Sequence, residues 1–347
     1  MDSQIIDLYL KDKQVFDQWQ AFLTSLNITN FSPREVDQLD FTIGIYDGEQ
    51  LVATGSVAGN VLKYVGVCNK NVTAGVRFNL IVSELVNRLF RQNVFHLMVF
   101  TKRQYSASFQ HVGFSELAHT DEAAVLETGS PTVDDYLARL PRPAARSTGA
   151  VAAVVINANP FTLGHRFLIE QAARENVSVY VFVVATDASL FTTAERLELV
   201  RAGTRDLPNV IVVDGGDYMV SYATFPAYFL PSPSQTVRYQ TTLDARIFRD
   251  AIAPALAITT RYVGSEPRSH TTAIYNQVLQ TELPPRVTVK VVERFQTSDH
   301  VVISASRVRQ ALRNNDFATI SSMVPATTAA FIHEHYTDLT QRAVAAG

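Results

Sequence analysis

Residues 151–166, which read VAAVVINANPFTLGHR, decide the fold of the second half of the chain. The stretch opens with a short apolar run, too short for a free-standing helix and typical of a strand buried on both faces of a parallel sheet. The asparagines and the proline at 157–160 break this strand into a tight turn. After the turn, apolar residues recur at helical spacing. The stretch therefore predicts a strand, a turn and a helix, with Gly164 and His165 in the first helical turn.

The N-terminus of that helix is a candidate phosphate-binding site. Its first N–H groups have no partner within the helix and lie at the positive end of the helix dipole, so they attract anions. His165 can donate a hydrogen bond to a phosphate oxygen, and Gly164 lets a ligand approach the backbone. The alternative interpretation is a capped helix that carries a surface histidine.

Two short motifs resemble the signatures of the nucleotidylyltransferase superfamily. Residues 162–165, TLGH, fit the pattern T/H-x-G-H, and residues 303–309, ISASRVR, resemble I-S-x-x-x-x-R. Each motif opens a predicted helix, and the strand in front of the first supplies the context that such a motif needs. The resemblance implies a Rossmann-like, HxGH-type domain that binds a nucleotide.

The longer context resembles the citrate lyase ligase family from about Val151 to the end of the chain and, more weakly, before it. The segments that carry the resemblance are residues 157–166, 223–226 (ATFP), 263–267 (VGSEP), 275–277 (YNQ) and 304–309. The resemblance implies an AMP-forming ligase. Its partner is the acyl-carrier (gamma) subunit of citrate lyase, and it acetylates the thiol of the carrier's phosphoribosyl-dephospho-coenzyme A group.

The same resemblance implies a set of site residues. His165 would stabilise the α-phosphate of ATP and Arg309 would neutralise the departing pyrophosphate, so these two are the candidate catalytic residues. The candidate nucleotide-binding residues are Phe161, Thr162, Gly164, Gly264, Glu266, Ser304 and Ser306. Acetate would attack the α-phosphorus, and the carrier thiolate would then attack the acetyl-adenylate. Mg²⁺ is expected from this chemistry, and no carboxylate cluster identifies protein ligands for it.

Composition limits the remaining possibilities. A chain of 347 residues exceeds the usual size of a single core and predicts two domains. A net charge of −3 does not indicate a nucleic-acid partner. No apolar run has membrane-spanning length, and the start of the chain lacks the features of a signal peptide. Cys68 is the only cysteine, so we expect a cytoplasmic protein without an internal disulfide.

The scarcity of lysine limits how the second half of the chain can bind phosphate. Lys290 is the only lysine after residue 150, which excludes a P-loop and the lysine-bearing second motif of class I aminoacyl-tRNA synthetases. Phosphate chemistry there must depend on arginine, histidine, backbone amides and a metal ion. Residues 333–335, HEH, lack the i, i+4 spacing of a helical zinc pair, and no Ser-His-Asp or Cys-His arrangement has ordered spacing. Residues 191–196, FTTAER, predict an ordinary helix cap.

The first half resembles a GNAT-type acetyltransferase domain, an α+β fold. Strands are predicted at 41–46, 51–57, 60–67, 94–100 and 123–126, with a helix after the third strand. The acyl-CoA loop of that family is Gln/Arg-x-x-Gly-x-Gly/Ala, whereas residues 71–77 keep one glycine and place Arg77 where a small residue belongs. A bulky side chain there would obstruct a phosphate, so we expect a retained fold without acetyl-CoA catalysis.

The predicted architecture is therefore α/β with two domains. A GNAT-like domain covers residues 1–140, a Pro/Ala-rich linker covers 141–149, and the nucleotidylyltransferase-like domain covers 150–347. Its apolar strands at 151–156, 177–184, 210–213, 258–263 and 287–292 alternate with helices. This alternation of strands and helices predicts a doubly wound parallel sheet, in which ligands bind at the carboxyl ends of the strands.

Two other functions stay open at this point. The first is a nucleotidylyltransferase that joins a nucleotide to a phosphorylated metabolite, although the scarcity of lysine disfavours it. The second is a non-catalytic module that docks a carrier and senses nucleotide. One observation argues against that module: a site without catalytic function would not require all four of the residues Thr162, His165, Ser304 and Arg309.

Overall fold

The computed structural model describes residues 4–70, 73, 75–143, 149–185, 189–219, 233–265, 270–293 and 303–345. The chain divides into two compact units. The first consists of Met1–Tyr136 with Phe225–Tyr239, and the second of Leu137–Thr224 with Gln240–Gly347. The predicted linker at 141–149 lies close to this division, but its residues 144–148 are outside the described ranges. The predicted domain boundaries therefore stay predictions.

The first unit is built on a mixed sheet of seven strands in the order β1-β2-β3-β4-β5-β7-β6. Its strands are β1 (Ile5–Asp7), β2 (Phe41–Asp47), β3 (Gln50–Ala58), β4 (Val61–Val67), β5 (His96–Lys102), β6 (Ser115–His119) and β7 (Ala123–Gly129). Its helices are α1 (Lys13–Ser25), α2 (Pro33–Asp37), α3 (Val76–Arg91), α4 (Ser106–His111) and the start of α5 (Val133–Arg139).

One strand pair breaks the antiparallel pattern of this sheet. β4 and β5 run parallel and pair at only two positions, Val61 with Met98 and Leu62 with Val99. The predicted hairpin is confirmed, because Gly48 takes a φ of +62° between β2 and β3. The apolar face of α3 packs on the sheet as predicted. The GNAT-like fold of this half is thereby confirmed.

The second unit contains five parallel strands in the order β10-β9-β8-β11-β12. The strands are β8 (Val151–Ile156), β9 (Ser178–Val183), β10 (Val210–Asp214), β11 (Ile258–Gly264) and β12 (Thr288–Val292). The helices up to β12 are α6 (Leu163–Glu175), α7 (Thr193–Gly203), α8 (Pro233–Ile247, shared with the first unit), α9 (Ala253–Ala255) and α10 (His270–Glu282). Four helices follow, α11 (Ala305–Arg313), α12 (Phe317–Met323), α13 (Ala326–Glu334) and α14 (Tyr336–Ala345).

Both faces of this sheet are covered, as a doubly wound sheet requires. Val179, Val181 and Val183 of β9 belong to the core cluster that includes α6, α7 and α11. Their neighbour Phe182 points to the opposite face and contacts Phe248, with ring centroids 6.3 Å apart. The predicted α/β fold and all five predicted strands are confirmed. No helix of the described ranges is long and apolar enough to cross a membrane, and the cytoplasmic location stays a prediction.

Candidate active site

The turn that follows β8 is anchored by a buried arginine of α7. Arg196 donates hydrogen bonds to the backbone carbonyl and the side-chain oxygen of Asn157, at 2.8 and 2.9 Å. It also donates to the carbonyls of Val184, after β9, and Phe191, before α7. Within the turn, Ala158 takes a φ of +52°, which costs about 1–2 kcal/mol for an L-residue. The bonds from Arg196 hold the chain in this conformation.

Thr162 and His165 fix each other at the start of α6. Thr162 is the N-cap, and its Oγ1 accepts a hydrogen bond from the His165 backbone N–H. In return, the Thr162 backbone N–H donates to Nδ1 of His165 at 3.1 Å. Because a backbone N–H can only donate, Nδ1 is the acceptor and the neutral ring carries its hydrogen on Nε2. The cap therefore prepares Nε2 of His165 as a donor.

Phe161 packs beneath His165 and does not line the cavity described below. Its side chain is fully buried in the core of the second unit, and its ring stacks on that of His165 at a centroid distance of 5.9 Å. Gly203 at the end of α7 makes room for it, since a Cβ there would lie 2.5 Å from Cε1 of Phe161. Phe161 therefore supports the His165 ring, and its predicted contact with the nucleotide stays a prediction.

Gly164 is not required by packing within the protein. A Cβ at this position would meet Oγ1 of Thr162 at 3.6 Å and Ile303 at 3.8 Å, which are ordinary contact distances. Its φ is not in the left-handed region. Since neither the backbone conformation nor a neighbouring side chain requires glycine here, its presence is consistent with close approach of a ligand.

The second motif caps α11 and reaches back to the first motif. Ser304 is the N-cap of α11 and accepts from the Arg307 backbone N–H at 3.2 Å. Arg309 donates to the carbonyl oxygen of Asn159 at 2.6 Å, across 150 residues of sequence. Its second terminal nitrogen donates to Oγ of Ser306 at 3.2 Å. Ser306 is exposed and accepts from the guanidinium, and its predicted role as a nucleotide contact stays a prediction.

Arg309 is a half-buried cation without a carboxylate partner among the described residues. Burial lowers the pKa of its guanidinium, and the nearby charge of Arg313 lowers it further. The group remains protonated at neutral pH, because the ordinary pKa of arginine lies far above neutrality. An uncompensated buried cation of this kind is stabilised when an anion binds beside it.

One cavity lies at the carboxyl ends of β8, β11 and β12, with a volume of about 370 Å³. Its walls include five of the predicted site residues, namely Thr162, Gly164, His165, Gly264 and Ser304. Asn157, Ser265, Thr272 and Glu293 add polar side chains to the walls. No lysine or arginine is found among the described residues that line it. A ligand phosphate in this cavity would thus meet helix N-termini, hydroxyls and a histidine first.

The strand ends themselves are held by backbone and amide contacts. Gly264 is the last residue of β11, and a Cβ there would meet nothing within 4 Å, so the cavity is open at this point. The side-chain amide of Asn276, on α10, donates to the Gly264 carbonyl at 3.0 Å. The next residue, Ser265, donates its backbone N–H to the carbonyl of Val292. These contacts fix the edge where the predicted ligand binds.

The predicted residues therefore divide into three groups. Thr162, Gly164, His165, Gly264 and Ser304 line one cavity, whereas Phe161, Ser306 and Arg309 are not among the residues that line it. Glu266 lies outside the described residues, as does the uncharged stretch 223–226. Neither Asn157 nor Arg196 is among the predicted site residues. A possible signal was the position of Asn157 directly after the buried strand.

Arg77 belongs to the segment that corresponds, by its resemblance to GNAT domains, to an acyl-CoA loop. This side chain is buried and donates to the carbonyls of Cys68 and Lys70, at 2.6 and 3.2 Å, and to Asp47 at 3.1 Å. Residues 71, 72 and 74 of the loop lie outside the described part of the chain. That the loop no longer serves acetyl-CoA stays a prediction.

Comparisons with known proteins agree on one family. A model described as the citrate lyase ligase C-terminal domain matches residues 151–332. The [citrate [pro-3S]-lyase] ligase of Escherichia coli (strain K12) is 38% identical over 286 residues, which are 81% of each chain. The enzyme of the same name from Haemophilus influenzae (strain Rd) is 36% identical over 300 residues, 85% of this chain and 89% of the relative.

Similar solved structures cover parts of the chain. An N-acetyltransferase from Staphylococcus aureus Mu50 has a TM-score of 0.30 at 15% identity, covering 36% of this chain and 96% of its own. Thermotoga maritima TmcAL bound with α-thio ATP has a TM-score of 0.34 at 11% identity, covering 55% of this chain and 56% of its own. The sequence matches extend over most of the chain and of the relatives. The chain therefore belongs to the citrate lyase ligase family.

Proposed function

We propose that the chain is an AMP-forming acid–thiol ligase. It activates acetate with ATP and transfers the acetyl group to the carrier (gamma) subunit of citrate lyase, whose prosthetic group is phosphoribosyl-dephospho-coenzyme A. The observation that carries this proposal is the cavity lined by two helix starts, Gly164 and His165 of α6 and Ser304 of α11. Two helix N-termini that converge on one cavity suit a polyphosphate.

In the first step an oxygen of acetate forms a bond to the α-phosphorus of ATP. The bond between that phosphorus and the bridging oxygen breaks, and pyrophosphate leaves with the electron pair. His165, with hydrogen on Nε2, donates to the α-phosphate as charge develops there. Ser304 and the first amides of α11 hold the β- and γ-phosphates, and Arg309 offsets the charge of pyrophosphate as it leaves.

In the second step the carrier thiolate attacks the acetyl carbonyl and AMP departs. We propose that the first unit, which has a GNAT-like fold, docks the carrier that bears this thiol.

Mg²⁺ is proposed only as the ion that accompanies ATP. In the part of the chain that the structure describes, no three His, Cys, Asp or Glu side chains come together, and Glu293 is the one carboxylate among the described cavity residues. These side chains do not build a protein metal centre. Mg²⁺ is commonly held by one or two carboxylates together with substrate phosphates.

Membership of the ligase family favours this proposal over the two alternatives. A nucleotidylyltransferase acting on a phosphorylated metabolite would need cations for the second phosphate, and the described cavity residues include no lysine or arginine. A non-catalytic module would not require the reciprocal cap that orients His165.

The test is isotope exchange between pyrophosphate and ATP. Exchange should appear with acetate alone, before any carrier is added, and complete turnover should give AMP and pyrophosphate. Formation of ADP, or exchange that is independent of acetate, would rule out the adenylate route.

A further inference from the structure

The orientation of the Asn157 side-chain amide is set by a hydrogen bond from the charged guanidinium of Arg196. Arg196 donates to Oδ1 of Asn157 at 2.9 Å, and Ser189 contacts the same oxygen at 3.5 Å. A guanidinium can only donate, so the oxygen of the amide must face Arg196 and the nitrogen must face away. Asn157 is exposed and belongs to the cavity wall. Its two Nδ2 hydrogens are therefore available to a ligand on the cavity side.

The division of the cavity leaves this amide to the carboxylate of the acid. In the proposed function the helix starts of α6 and α11 hold the phosphates, whereas Asn157 directly follows β8 and offers a neutral donor. A neutral amide holds a carboxylate without forming an ion pair. The carboxylate thus retains more basicity, which a nucleophilic oxygen requires.

We propose that Nδ2 of Asn157 binds the carboxylate of the acid substrate and that Arg196 is the positioning residue that orients it. This inference rests on the proposed function and adds the acid-binding residue to it. One carboxylate oxygen accepts the amide hydrogen bond, while the other forms the bond to the α-phosphorus. The electron pair of the broken phosphorus–oxygen bond leaves with pyrophosphate, and no proton is transferred in this step.

The test removes the Nδ2 donor of Asn157 and keeps an oxygen that can accept from Arg196. In Asn157→Asp one carboxylate oxygen can still accept from Arg196, but the cavity then faces an anion in place of two hydrogens. We expect the KM for acetate in pyrophosphate–ATP exchange to rise roughly 10- to 100-fold, with the KM for ATP within about threefold of the original. Asn157→Ala should lie between the original protein and Asn157→Asp, because it removes the donor without adding charge.

The control is Asn314→Asp, which adds the same charge at the exposed end of α11 and should leave both KM values unchanged. Thermal unfolding of each variant identifies any loss of fold. The inference is overturned if Asn157→Asp leaves the KM for acetate unchanged, or if the KM for ATP rises with it, which would place the amide on a phosphate. If the unsubstituted protein shows no acetate-dependent exchange, the proposed function fails instead.

Discussion

At the scale of single residues, the site depends on how its side chains are oriented as much as on which ones are present. His165 is fixed by the Thr162 backbone on one ring nitrogen and by the Phe161 ring on one face. Such restraint is valuable for electrostatic catalysis, because a donor already in place requires no reorganisation when charge develops.

One substitution can test the role of Nε2 of His165 separately from that of Nδ1. In His165→Asn the amide oxygen can take the place of Nδ1 and still accept from Thr162, whereas nothing replaces Nε2. We expect the rate of acetate-dependent pyrophosphate–ATP exchange to fall roughly 10²–10³-fold, with the unfolding temperature nearly unchanged. Full retention of the exchange rate by a folded variant would contradict the catalytic assignment.

A second residue prediction concerns Gly164. Alanine has room at this position and is a better helix former, so the free energy of unfolding of Gly164→Ala should be unchanged or rise by about 0.5–1 kcal/mol. The added methyl group would obstruct a phosphate at the backbone. We therefore expect ATP to raise the unfolding temperature less than in the original protein, as measured by calorimetry. An equal ATP-induced shift would show that no ligand approaches this backbone.

The sequence indicates these residues better than it indicates their roles. Thr162, His165 and Ser304 were predicted because helix starts and phosphate donors follow local rules. Phe161 and Ser306 belong to the same motifs, yet one is buried under His165 and the other holds Arg309. The contacts of Phe161 with Gly203 and of Arg309 with Asn159 join residues that are distant in sequence, so a motif alone could not reveal them.

At the scale of elements, the strands of the second unit were predictable and the short polar strand β6 was not. Each predicted strand of the second unit lies within one residue of its observed limits, although β11 and β12 carry polar residues. By contrast, β6 consists of Ser115–His119, a short and largely polar segment without a buried-strand pattern. No element is predicted before Phe41, where the structure has β1, α1 and α2.

Helix α7 packs in the core, and its Gly203 contacts Phe161, whose ring supports His165. A substitution at Gly203 tests whether this packing affects the site. A Cβ in Gly203→Ala would meet the buried Phe161 ring at 2.5 Å, and that ring stacks on His165. We expect a loss of roughly 1–3 kcal/mol in the free energy of unfolding, together with a slower exchange reaction. Urea unfolding and exchange kinetics measure the two effects.

The matched control is Gly164→Ala, which adds the same methyl group in the same unit where there is room for it. Gly203→Ala should be the less stable of the two. If instead it is as stable as the original protein, Phe161 is not confined as described.

At the scale of the whole molecule, the contacts of residues 137–142 suggest where to divide the chain. Tyr180 donates to the carbonyl of Pro141 at 2.9 Å, and Arg142 donates to the carbonyls of Leu137 and Ala255. These residues belong to the second unit, although the sequence placed the domain start at 150. A fragment that begins at residue 150 loses these bonds.

We therefore expect a fragment of residues 137–347 to be more stable than one of residues 150–347, by circular dichroism and thermal unfolding. If soluble, it should retain acetate-dependent exchange, because His165, Ser304 and Arg309 all lie within it. Transfer to the carrier should show a raised KM. Loss of exchange and aggregation together would indicate instead that the first unit only covers an apolar surface.

The scarcity of lysine in the second unit has a consequence for self-modification. An acetyl-adenylate acylates unprotonated amines, including those of the protein that makes it. Lys290, the only lysine after residue 150, donates to Glu175 at 2.5 Å, and this bond raises the pKa of its ammonium group. A protonated amine has no lone pair to attack an anhydride. The half of the chain that carries the candidate site thus offers an acyl-adenylate no lysine that readily loses its proton.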